Sequence, residues 1–65
     1  MEQITEGARV RLAAYGGEEI VRRVVDIQQD VIMVCKEEEF ERAKAEGRRP
    51  VAVGFQHQYV LGAAD

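Results

Sequence analysis

The stretch Val31-Ile32-Met33-Val34-Cys35-Lys36-Glu37-Glu38-Glu39-Phe40-Glu41-Arg42-Ala43-Lys44-Ala45-Glu46-Gly47 changes character in its middle. Its first five residues are apolar on both parities. That pattern belongs to a strand covered on both sides, so Val31–Cys35 is expected to be central in a sheet. The remainder has helical chemistry. Acidic residues crowd the first turn, Arg42 and Lys44 follow, and Gly47 suits the left-handed position past a helix end. A helix is expected over 36–46. Phe40 and Ala43 give it a narrow apolar stripe, and three turns are not stable alone. Phe40 must therefore pin the helix to the sheet.

Upstream, Arg9 and Arg11 alternate with Val10 and Leu12, the period of a half-buried strand. Gly16-Gly17 tolerates the positive φ angles of a tight turn. The Val- and Ile-rich run Glu19–Gln28 reads as a second strand. A turn centred on the glycine pair sets Leu12 opposite Val21 and Arg11 opposite Arg22, an unfavourable meeting of like charges. Val21, Val25 and Ile27 also share one parity while Ile20 and Val24 share the other. A bulge near Arg22-Arg23 would relieve both conflicts. Gln29-Asp30 is the next turn. A two-residue loop pairs Ile27 with Ile32 and Val25 with Val34; a three-residue loop pairs Ile27 with Val31 and Val25 with Met33. Both keep apolar residues together, so the pattern admits either register.

Downstream, Pro50 stops the helix and biases Arg49 to extended geometry. Val51, Val53 and Phe55 alternate with Ala52 and Gly54 as a fourth strand. Gln56-His57-Gln58 reads as a turn, Tyr59-Val60-Leu61 as a last short strand, and 62–65 as a frayed tail. The fold class is therefore mostly β (α+β): a small, strongly bent antiparallel sheet of four or five strands, with one helix inserted between strands 3 and 4. A closed barrel is expected, because closure removes edges that invite aggregation.

Gly7, Val10, Leu12, the Gly16-Gly17 turn, Val24-Val25, Ile27, Asp30 and Val34, with the short turn before the last strand, resemble the SH3-like small barrels, the group that includes Tudor and KOW-type modules. The resemblance implies a single domain over residues 1–65 with that barrel architecture. It carries no binding specificity with it. The chain has no tryptophan, the helix at 36–46 is an insertion, and Arg22-Arg23 stands where KOW modules carry a glycine.

Sixty-five residues with a formal net charge of −3 leave room for one domain. The longest apolar run, Val31–Cys35, is far short of the roughly 20 residues a membrane helix needs. Met1–Ala8 has neither the basic flank nor the apolar stretch of a signal peptide. With a single free thiol, a reducing cytoplasm is the expected compartment. One cysteine cannot close an internal disulfide, and one cysteine with one histidine cannot fill a four-ligand zinc site. No metal and no cofactor are expected. A domain this small buries only about 60% of its unfolded surface, so self-association as a homodimer is expected to supplement the core.

No catalytic constellation can be assembled, and the chain is not expected to be an enzyme. Cys35 reads as a small buried hydrophobe in an apolar strand, and His57 as a surface turn residue. Glu37, Glu38, Glu39 and Glu41 read as a solvated helix start. Two binding functions remain. The first is a non-catalytic binding or assembly module for a protein partner or a second copy, with Tyr15, Phe55 and Tyr59 as interface residues. The second is a nucleic-acid or anion contact through an arginine stripe on the first hairpin: Arg9, Arg11, Arg22 and Arg23. Nucleic-acid binders usually combine positive charge with interleaved aromatics. An acidic chain with only Tyr15 beside the stripe makes the first reading the leading one.

Overall fold

The computed structural model describes residues 4–64. Five strands, β1 (Arg9–Ala13), β2 (Glu19–Ile27), β3 (Val31–Cys35), β4 (Val53–Gln56) and β5 (Val60–Ala64), form one antiparallel sheet in the order β4-β3-β2-β1-β5. The helix α1 (Glu37–Glu46) lies between β3 and β4. Short 3-10 turns at Tyr15–Gly17 and His57–Tyr59 join β1 to β2 and β4 to β5.

The sheet is strongly curled. β4 and β5 stand at opposite ends of the strand order, four strand spacings or about 19 Å apart if the sheet were flat. Three residues in a 3-10 turn join them, and such a turn advances only about 2 Å per residue. The expected closed barrel is not formed, however. No ladder joins β4 to β5. The chain rounds the corner through a 3-10 turn rather than a hairpin, so the two strands part where closure would need them paired.

The first hairpin differs by one residue from the expected register. Leu12 pairs with Ile20 and Arg11 with Val21. The turn is centred on Gly16 rather than on the glycine pair, with Gly16 at φ 80° and Gly17 at φ 79°, and the Ala14 N–H donates to the Glu18 carbonyl at 2.6 Å. Arg11 and Arg22 thereby escape each other, while Arg9 now opposes Arg23. The bulge also moves. It falls at Val25, where the β2–β3 register shifts between Val24 and Asp26. Ile20, Arg22 and Val24 precede it on the core face, and Ile27 follows it on that face, opposite Ile32. The bulge thus reconciles the two parities in β2. The β2–β3 turn takes the two-residue form, with Ile27 opposite Ile32 and the Gln28 N–H bonded to the Val31 carbonyl at 2.8 Å. Because of the bulge, Val34 faces Val24 instead of Val25.

Val10, Leu12, Val24, Ile32 and Val34 form the buried core, with Ile4, Ile20, Phe55 and Val60 packed around it. β3 is an inner strand, as its two-sided apolar pattern predicts. The helix begins at Glu37, with Lys36 as its extended N-cap residue. It ends as expected at Gly47, whose φ of 68° permits the left-handed turn. There the Arg48 N–H reaches the Ala43 carbonyl at 3.0 Å and the Gly47 N–H reaches that of Lys44 at 3.3 Å, closing off the last carbonyls. Ala43 is the fully buried helix residue, whereas Phe40 is half-buried and carries the Arg23 guanidinium 4.0 Å from its ring centroid. The helix is thus held by a buried small residue as well as by Phe40.

The last strands start later than expected. β4 begins at Val53 rather than Val51, and β5 runs over Val60–Ala64. Residues 62–64 are therefore not a frayed tail: Gly62, Ala63 and Ala64 pair with Arg11, Val10 and Arg9. The side of β1 away from β2 supplies the backbone partners that a tail in solvent would lack. Asp65 lies outside the described residues.

Candidate functional site

The sequence-derived interface residues converge. Tyr15, Phe55 and Tyr59 line one open groove of about 470 Å³, together with Ala13, Ala14, Gly54 and Gln56. Three elements wall it, the last two of them contiguous in the chain. The first is the loop between β1 and β2, where two positive-φ glycines follow Tyr15 and leave its ring fully exposed. The second is β4, where Phe55 opposes Ile32 over the core. Gly54 opposes Met33 there, and a Cβ on Gly54 would come within 3.3 Å of the Met33 sulfur. The third is the 3-10 turn that carries Tyr59. His57 ties this turn to the β2–β3 turn, with its Nε2 2.8 Å from the Gln28 carbonyl oxygen. His57 therefore positions the wall bearing Tyr59. Among the described residues no charged side chain lines the groove. Its surface consists of aromatic faces and backbone with a few polar groups, the usual makeup of a site that takes an apolar ligand and orients it by hydrogen bonds.

The four arginines do not form one stripe. Arg9, Arg11 and Arg23 share the outer face of the hairpin, while Arg22 opposes Val10 on the core face. The outer three meet carboxylates. Arg9 Nε donates to Glu37 at 3.0 Å and Arg23 Nη1 to the other Glu37 oxygen at 2.8 Å, so one carboxylate bridges the two opposed arginines. Arg11 Nη1 donates to Glu19 at 2.9 Å. Hydrogen bonding to Glu37 holds the Arg9 guanidinium above its ordinary range. In turn Arg9, followed by the charge of Arg23, holds the Glu37 carboxyl below the usual carboxylate range. Arg22 is the exception. Its Nη1 donates to the Val21 carbonyl at 2.9 Å, and among the described residues it forms no ion pair.

Glu39 is a second node. Its carboxylate accepts from Arg48 at 2.7 Å and from the Val51 N–H at 2.9 Å, fastening the helix to the segment that leads into β4. The Arg48 bond, then the Val51 N–H, hold the Glu39 carboxyl down at about 2. Cys35 is buried, and burial followed by the charge of Glu39 pushes its thiol up, away from the thiolate a nucleophile needs. Neither Cys35 nor His57 lies in the aromatic groove. Among the described residues, no three His, Cys, Asp or Glu side chains are placed to hold a metal ion.

Sequence reasoning did not assign the remaining groove residues, Ala13, Ala14, Gly16, Gly54 and Gln56, to a site, because small and neutral side chains carry no pattern of their own. It also missed the separation of Arg22 from its neighbours, which depends on a one-residue register. The like-charge conflict it noted at Arg11 and Arg22 was the available signal for that shift.

The fold and groove define a small antiparallel α+β protein with an aromatic recess at one end of an open sheet. Comparison with family models, with curated proteins and with solved structures finds no match. No helix among the described residues is long and apolar enough to cross a membrane.

Proposed function

We propose that this protein is a non-catalytic binding module of SH3-like design that engages an extended polypeptide segment in the groove of Tyr15, Phe55 and Tyr59. The observation that carries the reading is the meeting of Tyr15, wholly exposed on the first hairpin loop, with Phe55 and Tyr59 from β4 and the turn after it. Rigid aromatic faces bury large area at low entropic cost, and tyrosine adds a hydroxyl for a partner's backbone. An uncharged groove favours small apolar side chains presented on an extended backbone. The partner is another protein or a second copy of this chain, and sedimentation at high concentration separates the two.

The alternative, a nucleic-acid contact, is weaker because Arg9, Arg11 and Arg23 are engaged by Glu37 and Glu19. Phosphates would have to displace those carboxylates before any gain from counterion release.

The test is titration of isotope-labelled protein with peptides selected from a random display library, read by amide shifts. Perturbations around Tyr15, Phe55 and Tyr59 are expected. Tyr15→Ala combined with Tyr59→Ala is expected to weaken binding at least tenfold while thermal stability stays within about 0.5 kcal/mol. Perturbations confined to Arg9 and Arg11, with binding of single-stranded oligonucleotides that falls steeply with salt, would replace this reading with the alternative.

A further inference from the structure

Next to the aromatic groove lies a second hollow of about 350 Å³, which Phe55 also lines. Ile20, Val34, Val51 and Val53 give it apolar walls, and Arg22 and Lys36 stand in it as cations. Phe55 is the wall shared by the two recesses. The hollow exists because the sheet does not close. Val53 opposes Val34 on the core face yet is 60% exposed, and Val51 is 76% exposed. The register places Arg22 on this same face, between Ile20 and Val24. Arg22 is half-buried beside apolar side chains and meets no carboxylate among the described residues, in contrast to Arg9, Arg11 and Arg23. Lys36, at the start of the helix, likewise forms no ion pair among the described residues. Among the described residues the one acid in the hollow is Glu39, and its carboxylate is already engaged by Arg48 and the Val51 N–H.

We propose that this hollow is an anion-accepting subsite that sets the partner's chemistry. The segment bound in the aromatic groove continues past Phe55 and places an acidic side chain, flanked by apolar residues, against Arg22 and Lys36. This inference rests on the aromatic groove being a peptide site. It assigns the ligand class by charge complementarity: apolar walls fix the neighbouring side chains, and the guanidinium offers the paired N–H donors that a carboxylate accepts.

The experiment uses two pools of nine-residue peptides on one Ala/Val/Leu/Pro background. One pool carries a single Glu scanned through each position, and the other carries Gln at the same positions. Both are passed over the immobilised protein. At the favoured position the Glu peptide is expected to be retained about five- to tenfold better than its Gln counterpart, as suits a charge-assisted contact at a partly exposed site. The preference is expected to shrink with added salt. Arg22→Gln with Lys36→Gln should bring the ratio to about one while leaving retention of the Gln pool and the melting temperature unchanged. Equal retention of the Glu and Gln peptides by the wild type, or a preference that survives the double variant, overturns the subsite and leaves the groove standing. Retention of both pools undiminished by Tyr15→Ala with Tyr59→Ala, or of neither pool by the wild type, overturns the groove and the subsite together.

Discussion

On the helix-bearing side of the sheet, Arg9, Arg11 and Arg23 each reach a carboxylate, and Arg23 also donates to the Gly7 carbonyl and covers Phe40. At the open end, Arg22 reaches only a neighbouring carbonyl, and Tyr15, Val51 and Val53 stand in solvent. The same residue type thus does different work in the two regions. Arg9 and Arg23, paired with Glu37, hold the helix to the sheet, while Arg11 pairs with Glu19 within the hairpin. Where an arginine is unpaired beside apolar surface, as Arg22 is, it makes no such tie. Charge counted along a sequence cannot separate the two, because pairing is a property of faces.

The largest effect should come from the core that both regions share. Leu12→Ala is expected to cost about 2–5 kcal/mol at a site with no exposure, enough to unfold much of the population in a small domain. Urea denaturation measures it, and a loss under 1 kcal/mol would show that Leu12 is not central to the packing. The comparison itself is tested by paired substitutions. Arg23→Ala removes bonds to Glu37 and Gly7 from a guanidinium side chain only 16% exposed, and should cost about 2 kcal/mol. Arg22→Met should leave stability within about 0.5 kcal/mol. Equal costs would erase the distinction between the two faces. Gly47→Ala places a Cβ at φ 68° and should cost about 1 kcal/mol by straining the helix end, with amide exchange rising in the last turn of α1.

The smallest effect is the dependence on acidity. Glu39 falls from its ordinary 4.5 to about 2 when folded, chiefly through Arg48 and the Val51 N–H. A carboxyl with a lowered folded-state value stabilises fully above its unfolded value and loses that contribution as pH drops through the folded one. The wild type should therefore lose its advantage over Glu39→Gln between about pH 4.5 and pH 2. Melting curves of both proteins across that window check the point. A gap that stays constant would show that the Arg48–Glu39 pair does not hold the segment leading into β4.

Much of this molecule was legible one strand or helix at a time. The alternation through Val10 and Leu12, the two-sided apolar run of β3, and the helix from its acidic start to Gly47 all follow from local periodicity and backbone preference. These signals are carried by residues within one or two turns of each other, so the sequence alone determined that four or five strands and one helix would form.

The sequence left open which side chains would meet across the molecule. Centring the first turn on Gly16 moved Arg22 to the core face, and the Val25 bulge let both ends of β2 serve one core. The three-residue corner at His57–Tyr59 kept β4 and β5 apart, which left the barrel open and brought Tyr15 and Tyr59 to the same groove. Each of these depends on a shift of one residue or on a turn angle, and in a sheet a one-residue shift moves a side chain to the opposite face. Only the assembled structure, in which packing of the whole core chooses among registers that local preferences leave nearly equal, decided them.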